Sequence, residues 1–291
     1  MGTLQAHIRL DSSLNIRYAL LPGDPARLDR IALHLQDVRE LAYNREFRSL
    51  TGTYRGVQVL AVSTGIGGAS MGIAVEELRA CGVECAIRIG SCGALQFDIA
   101  PGELVLAEGA VRDDGASAAY LPLGYPAVAD HRLLECCRTA AAEQGFAHRC
   151  GLVRSHDSFY TDEEMEICRT WSARGILGAD METAALYTIG RLRGMAAASI
   201  LNNVAPYESD VAESVADYAD GDRLAMQGEQ NEIITALEAF VRWEEQYGSH
   251  ETAAAHLGYR SRRTRCPALP LYRRRGEACP LPARPVHLPL L

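Results

Sequence analysis

Four stretches of the sequence place chemically capable side chains beside glycines. The first is Leu21-Pro22-Gly23-Asp24-Pro25-Ala26-Arg27. An apolar strand runs into a glycine turn and a helix begins, so backbone N–H groups and a helix N-terminus would face one spot that suits an anion. Arg27 reaches the same spot from the first helical turn; a plain Pro-Gly-Asp turn is the alternative. The second is Arg88-Ile89-Gly90-Ser91-Cys92-Gly93-Ala94. Here an arginine interrupts an apolar strand, and burying a guanidinium is costly unless an anion or a carboxylate pairs with it. Ser91 adds a hydroxyl donor, and Gly90 and Gly93 permit close backbone approach. A structural arginine–carboxylate pair is the competing reading.

The third stretch is Ser63-Thr64-Gly65-Ile66-Gly67-Gly68-Ala69-Ser70, again between a strand and a helix. It departs from GxGxxG and no acid follows at dinucleotide spacing, so a packing turn competes with a ligand loop. The fourth is Ala179-Asp180-Met181-Glu182 at a helix start. Carboxylates there can simply complement the helix dipole. A carboxylate can also accept hydrogen bonds from vicinal hydroxyls, which suits a sugar, and Met181 offers a soft apolar surface to a sugar ring.

Composition narrows the chemistry. All 29 basic side chains are arginine and none is lysine. A Walker-type phosphate loop, a Schiff-base enzyme and a lysine general base are therefore excluded. Any phosphate site must use arginine, backbone N–H groups and hydroxyls. A net charge of -8 argues against nucleic acid as a partner. The nine cysteines show no CxxC pair and no zinc-like spacing, which reads as reduced thiols in a cytoplasmic protein. The N-terminus has no signal-peptide core, and no run approaches the ~18 apolar residues of a membrane span.

The elements that must position these residues alternate. Strands are predicted over 18–21, 47–54, 57–63, 85–90, 103–110, 149–155 and 196–201, the second and third as a hairpin around Arg55-Gly56. Helices are predicted over 70–81, 130–144, 162–174, 181–193 and 222–246. This alternation implies an α/β fold, a three-layer α/β/α sandwich around a mixed central sheet. Residues 1–248 read as one catalytic domain. Residues 249–291 hold six of the twelve prolines and eight arginines against two acids, and read as a disordered Arg/Pro-rich tail.

PGDPxR, NREF, STGIGG, RIGSCGA, SFY and DMETA, in this order and spacing, resemble the nucleoside phosphorylases of the family that contains uridine phosphorylase and hexameric purine nucleoside phosphorylase. The resemblance spans about residues 7–245. It implies the same α/β sandwich and phosphorolysis of a nucleoside to free base and ribose 1-phosphate. It implies no cofactor beyond inorganic phosphate as co-substrate. By the resemblance, Gly23, Arg27, Arg88 and Ser91 bind phosphate, and Arg45 is an arginine lent by a neighbouring subunit. His7, also lent, meets the ribose 5′-hydroxyl; Met181 and Glu182 contact the ribose. Phe159 lines the pocket of base and sugar, where Cys92 and Gly93 are expected too. Such sharing makes a dimer the minimum unit, with a hexamer as a possible assembly. Glu46, Ile66 and Ser70 resemble positions that hold a monovalent cation such as K+ between subunits.

The base-reading positions depart from the pattern. Uridine phosphorylases pair a glutamine with an arginine two residues on; here Glu163 and Met165 stand there. Purine enzymes place a proton-donating aspartate where this chain has Asn203, which donates a hydrogen bond but delivers no proton. Asp210, Asp222 and Arg223 are nearby groups that could compensate. The expectation is a uridine-phosphorylase-like enzyme with Arg88, Glu182 and Asn203 as its catalytic residues. Purine nucleoside phosphorolysis is the alternative. A water-using nucleosidase and an impaired member that binds through its basic tail follow behind.

Overall fold

Strand β1 (Tyr18–Pro22) is buried on both faces, which requires cover above and below. It pairs in parallel with β4 (Val57–Val62) on one side and with β5 (Cys85–Ala94) on the other. The computed structural model describes residues 2–209, 214, 216–217 and 222–248. The tail from 249 onward, expected to be disordered, lies outside the described residues. Beyond β4 the sheet turns antiparallel through β3 (Phe47–Tyr54) and β2 (Gln36–Asn44). Strand β2 was not predicted. It is an edge strand with five successive exposed residues, so it carries no apolar alternation.

Beyond β5 the sheet closes on itself. Strand β10 (Ala196–Ala205) pairs in parallel with β5 and antiparallel with β6 (Leu104–Asp113). Strand β6 continues to β8 (His148–His156), β8 to β9 (Gly178–Asp180), and β9 returns to β5. A two-residue strand, β7 (Ala127–Val128), pairs with β6. This mixed ten-stranded sheet carries helices on both faces, as the predicted fold class requires; the ring of five strands was not predicted.

One face packs α2 (Gly68–Ala80) and α6 (Thr183–Leu192) against the sheet, with the short α3 (Gly115–Tyr120) beside them. Met71, Val75, Leu78, Leu186 and Ile189 fill this layer. The other face carries α1 (Arg27–Ala32), α4 (His131–Glu143) and α7 (Arg223–Tyr247). Leu28, Ile31, Leu133, Leu237 and Phe240 fill it. Helix α5 (Glu164–Ser172) buries no residue fully. Among the described residues no helix is long and apolar enough to cross a membrane.

Candidate active site

Strands β1 and β5 stop pairing beyond Pro22 and Ile89, and the predicted motifs meet there. Gly23 then turns the chain, and its carbonyl accepts from Gly65 N–H at 3.0 Å, while Pro22 accepts from Thr64 at 2.9 Å. The first and third motifs are thereby zipped together. The RIGSCGA stretch is not a loop. It stays in β5, because β10 runs beside it with Asn202 opposite Ser91 and Asn203 opposite Cys92. Helix α1 has only six residues, so its dipole at this spot is weaker than the sequence suggests.

Arg88 is buried and holds two carboxylates. Its Nε donates to Asp180 Oδ2 at 3.0 Å, and its Nη2 lies 2.6 Å from Glu182 Oε2. Its guanidinium folds back over Gly90, where an added Cβ would fall 2.5 Å from Nη2. Only glycine leaves that room. Burial opposes the arginine's charge, but Glu182 and Asp180 more than offset it and the guanidinium stays cationic. Glu182 titrates above the usual carboxylate range: burial pushes it up, Arg88 pulls it down, and Asp180 pushes it up again. Its Oε1 also accepts from Gly67 N–H at 2.5 Å, which ties the STGIGG loop to the start of α6. Asp180 takes further hydrogen bonds from Ser155 Oγ and from Thr183 N and Oγ1. Of the two readings of the arginine, the structural pair is present, and it lies where β1 and β5 stop pairing.

Arg27 is buried as well. Its Nη1 donates to Ile89 O at 3.2 Å and to Glu232 Oε1 at 2.8 Å, and its Nε lies 2.9 Å from Glu229 Oε2. Glu229 and Glu232 come from α7 and were missed. An acid on a helix normally reads as part of a solvated face. The available signal was position: both share the stripe of Ala225, Ile233 and Ala236, which is buried. Arg154 was missed too. It is buried on β8 and bonds Asp113 and Glu164, at 2.8 and 2.7 Å.

His7 and Arg45 lie apart from this cluster but beside each other. Asn44 Nδ2 donates to the His7 carbonyl at 2.7 Å, and Arg45 follows at the exposed β2–β3 turn with φ 57°. His7 Nδ1 lies 2.7 Å from Glu77 Oε1. Burial alone would raise Glu77, but the Ile8 N–H, the His7 ring and the His7 N–H hold it below the usual range. Among the cation-type positions, Ser70 Oγ lies 2.8 Å from Glu46 Oε1, while Ile66 is exposed. Glu46 sits below the usual range, its own N–H being the first cause, against burial, with Ser70 adding to it. Among the described residues no cluster of three or more His, Cys, Asp or Glu could hold a metal ion.

The base-side positions divide. Met181 and Phe159 are half-buried, Glu163 is exposed at the start of α5, and its neighbour Glu164 is held by Arg154. Cys92 is buried and Gly93 pairs with Ala179. Asn203 departs from expectation. Its Oδ1 accepts from Ala94 N at 3.1 Å and Ala205 N at 3.3 Å, and its Nδ2 donates to Ile99 O at 3.2 Å. The amide is spent latching β10 to β5 and to the turn after it. Asp222 caps α7 through Ala225 N–H at 2.9 Å. Asp210 lies outside the described residues.

Residues 17–240 match the family model described as the phosphorylase superfamily. The chain belongs to the phosphorylase superfamily. This phosphorylase is 37% identical over 209 residues to uridine phosphorylase of Thermococcus kodakarensis, covering 68% of this chain and 76% of that one. It is 37% identical over 196 residues to guanosine phosphorylase of Halorubrum lacusprofundi, covering 67% and 81%. The crystal structure of uridine phosphorylase from Vibrio fischeri superposes with a TM-score of 0.77 at 48% identity, covering 82% of this chain and 97% of that one.

Proposed function

We propose that this phosphorylase cleaves nucleosides with inorganic phosphate, reversibly, with uridine as its first substrate. One observation carries the reading: Arg27, Arg88, Asp180 and Glu182 meet where β1 and β5 stop pairing, with Gly23 just after β1 and Ser91 two residues beyond the last pair on β5. In an α/β sheet such a place is where ligands bind. The uridine relatives support the choice of base.

The reaction follows from the charges. Breaking the bond between C1′ and the base nitrogen builds oxocarbenium character on the ribose. Phosphate held by Arg27, Arg88, Ser91 and a neighbour's Arg45 attacks C1′, and its charge offsets the cation. The C1′–N bond breaks as C1′–O forms; the base leaves with the electron pair and takes a proton. Glu182 accepts from the ribose hydroxyls, Met181 lies under the ring, and a neighbour's His7 meets the 5′-hydroxyl. The side-by-side placement of His7 and Arg45 on one edge supports a dimer that shares both. A monovalent cation near Glu46, Ile66 and Ser70 is part of the proposal; Glu46 and Ser70 supply the hard oxygen donors it needs. The seven described cysteines are all free, which supports a reducing, cytoplasmic setting.

Guanosine is the second reading, because Glu163 accepts hydrogen bonds and guanine's edge offers N–H donors where uracil offers O4. A panel of uridine, inosine, guanosine and adenosine with and without phosphate tests all of this. Ribose 1-phosphate formed fastest from uridine, and only with phosphate, is expected. Guanosine as the best substrate would transfer the assignment to the second reading. Cleavage that ignores phosphate would make the chain a nucleosidase.

A further inference from the structure

Glu232 has no part in the reaction just described, yet it is buried against the residues placed around phosphate. Its Oε1 accepts from Arg27 Nη1 at 2.8 Å and its Oε2 accepts from Gly90 N–H at 3.1 Å. Gly90 is the residue after the last β1–β5 pair, so Glu232 fills the place where the two strands separate. It thus joins a side chain from the start of α1 to the backbone of β5. We propose that Glu232 is a positioning residue that holds Arg27 and the Gly90 N–H in register, and that phosphate seated beside them draws a proton onto its carboxylate. The inference rests on the reading of Arg27 and Arg88 as phosphate ligands.

The surrounding charges give the sign. Glu232 faces Arg27 from α1, Arg88 and Cys92 from β5, and Glu229 from its own helix. Strands β4 and β10 carry no ionisable side chain. On α4, Glu143 pairs with Arg242 and Arg132 stacks on Trp243 at the far end of α7, and Glu135 pairs with Arg138 on the surface. On β6, Asp113 pairs with Arg154, Arg112 with the α3 region, and Glu108 is exposed. Burial raises the Glu232 carboxyl to about 8, against the pull of Arg27 and with a push from Glu229. A bound oxyanion adds negative charge to the same pair of arginines, so it disfavours the ionised form further. Anion binding and proton uptake are then linked, and each strengthens the other.

Sulfate tests this, because it stays a dianion throughout the range while phosphate does not. Its binding is measured by calorimetry at pH 8.5 in two buffers of different ionisation enthalpy, and its competition with phosphate is followed from pH 7.5 to 9.5. The wild-type chain is expected to take up a large fraction of a proton per sulfate and to lose about tenfold in affinity across that range. Glu232→Gln is expected to take up none and to lose less than about threefold. Equal uptake in both chains, or sulfate bound by the wild type with no proton exchanged, overturns the inference and leaves the phosphate reading standing. Sulfate that fails to compete with phosphate overturns both. If Glu232→Gln fails to fold, the wild-type buffer comparison alone decides.

Discussion

Arg88 is held between Asp180 and Glu182, and this changes what its removal does. Taking away one partner of a buried pair leaves the others uncompensated, a loss of about 3–5 kcal/mol. Arg88→Ala is expected to abolish phosphorolysis and also to lower stability by about that amount. A urea titration beside the activity assay checks it; an unchanged unfolding midpoint would mean that the two carboxylates find other partners. The sequence posed the right alternatives here, because an arginine in an apolar strand demands an anion of some kind. Asp180 and Glu182 were singled out as well, but as helix-start carboxylates suited to a sugar and not as the partners of Arg88. Asn203 was misread, because a residue's type does not say which backbone groups its amide must satisfy. Glu229 and Glu232 escaped because an acid on a helix is ordinarily solvated; only the apolar stripe they share with Ile233 marks them as buried.

The β2–β3 hairpin carries its weight at its turn. Asn44 fixes the N-terminal segment through the His7 carbonyl, and Arg45 projects beyond it. If Arg45 serves a neighbour's site, two defective chains can repair each other. Arg45→Ala and Glu182→Gln chains are each expected to be nearly inactive alone. Mixed by co-expression, they should regain up to about a quarter of wild-type activity, since half of random dimers are mixed and each has one intact site. No recovery in isolated mixed dimers would place Arg45 in its own chain's site. Many elements were legible: β1, β3, β4, α2, α4 and α7 fall within two residues of their predicted bounds, whereas β5 and β10, predicted to end at 90 and 201, run on to Ala94 and Ala205. The edge strand β2, the short strands β7 and β9 and the helix α3 were not. They are short or exposed, and periodicity needs length and a buried face.

The charge of the whole molecule is uneven. The tail contributes +6 and the rest of the chain -14, so global charge does not draw phosphate in, and the proposed site relies on local arginines instead. Stability should follow a buried group rather than this surface. Glu232 titrates near 8 in the folded chain and near 4.5 when exposed, so the folded state holds a proton that the unfolded state has lost. That contribution is full below about 4.5 and fades as pH rises through 8. The melting temperature of the wild type should fall by roughly 5–10 °C more than that of Glu232→Gln between pH 5 and pH 8.5. Parallel melting curves would assign the pH dependence elsewhere. The ring of β5, β10, β6, β8 and β9 was invisible to local pattern, since its closing pairs are distant in sequence. That ring has a consequence in time. Strand β5 is synthesised early, but its partner β10 spans 196–205, and α7 with Glu232 follows later still. On the ribosome the candidate site cannot assemble piecemeal as residues emerge. A nascent chain must keep its apolar strands from other partners until nearly the whole domain has left the exit tunnel, and only then does the site come into being at once.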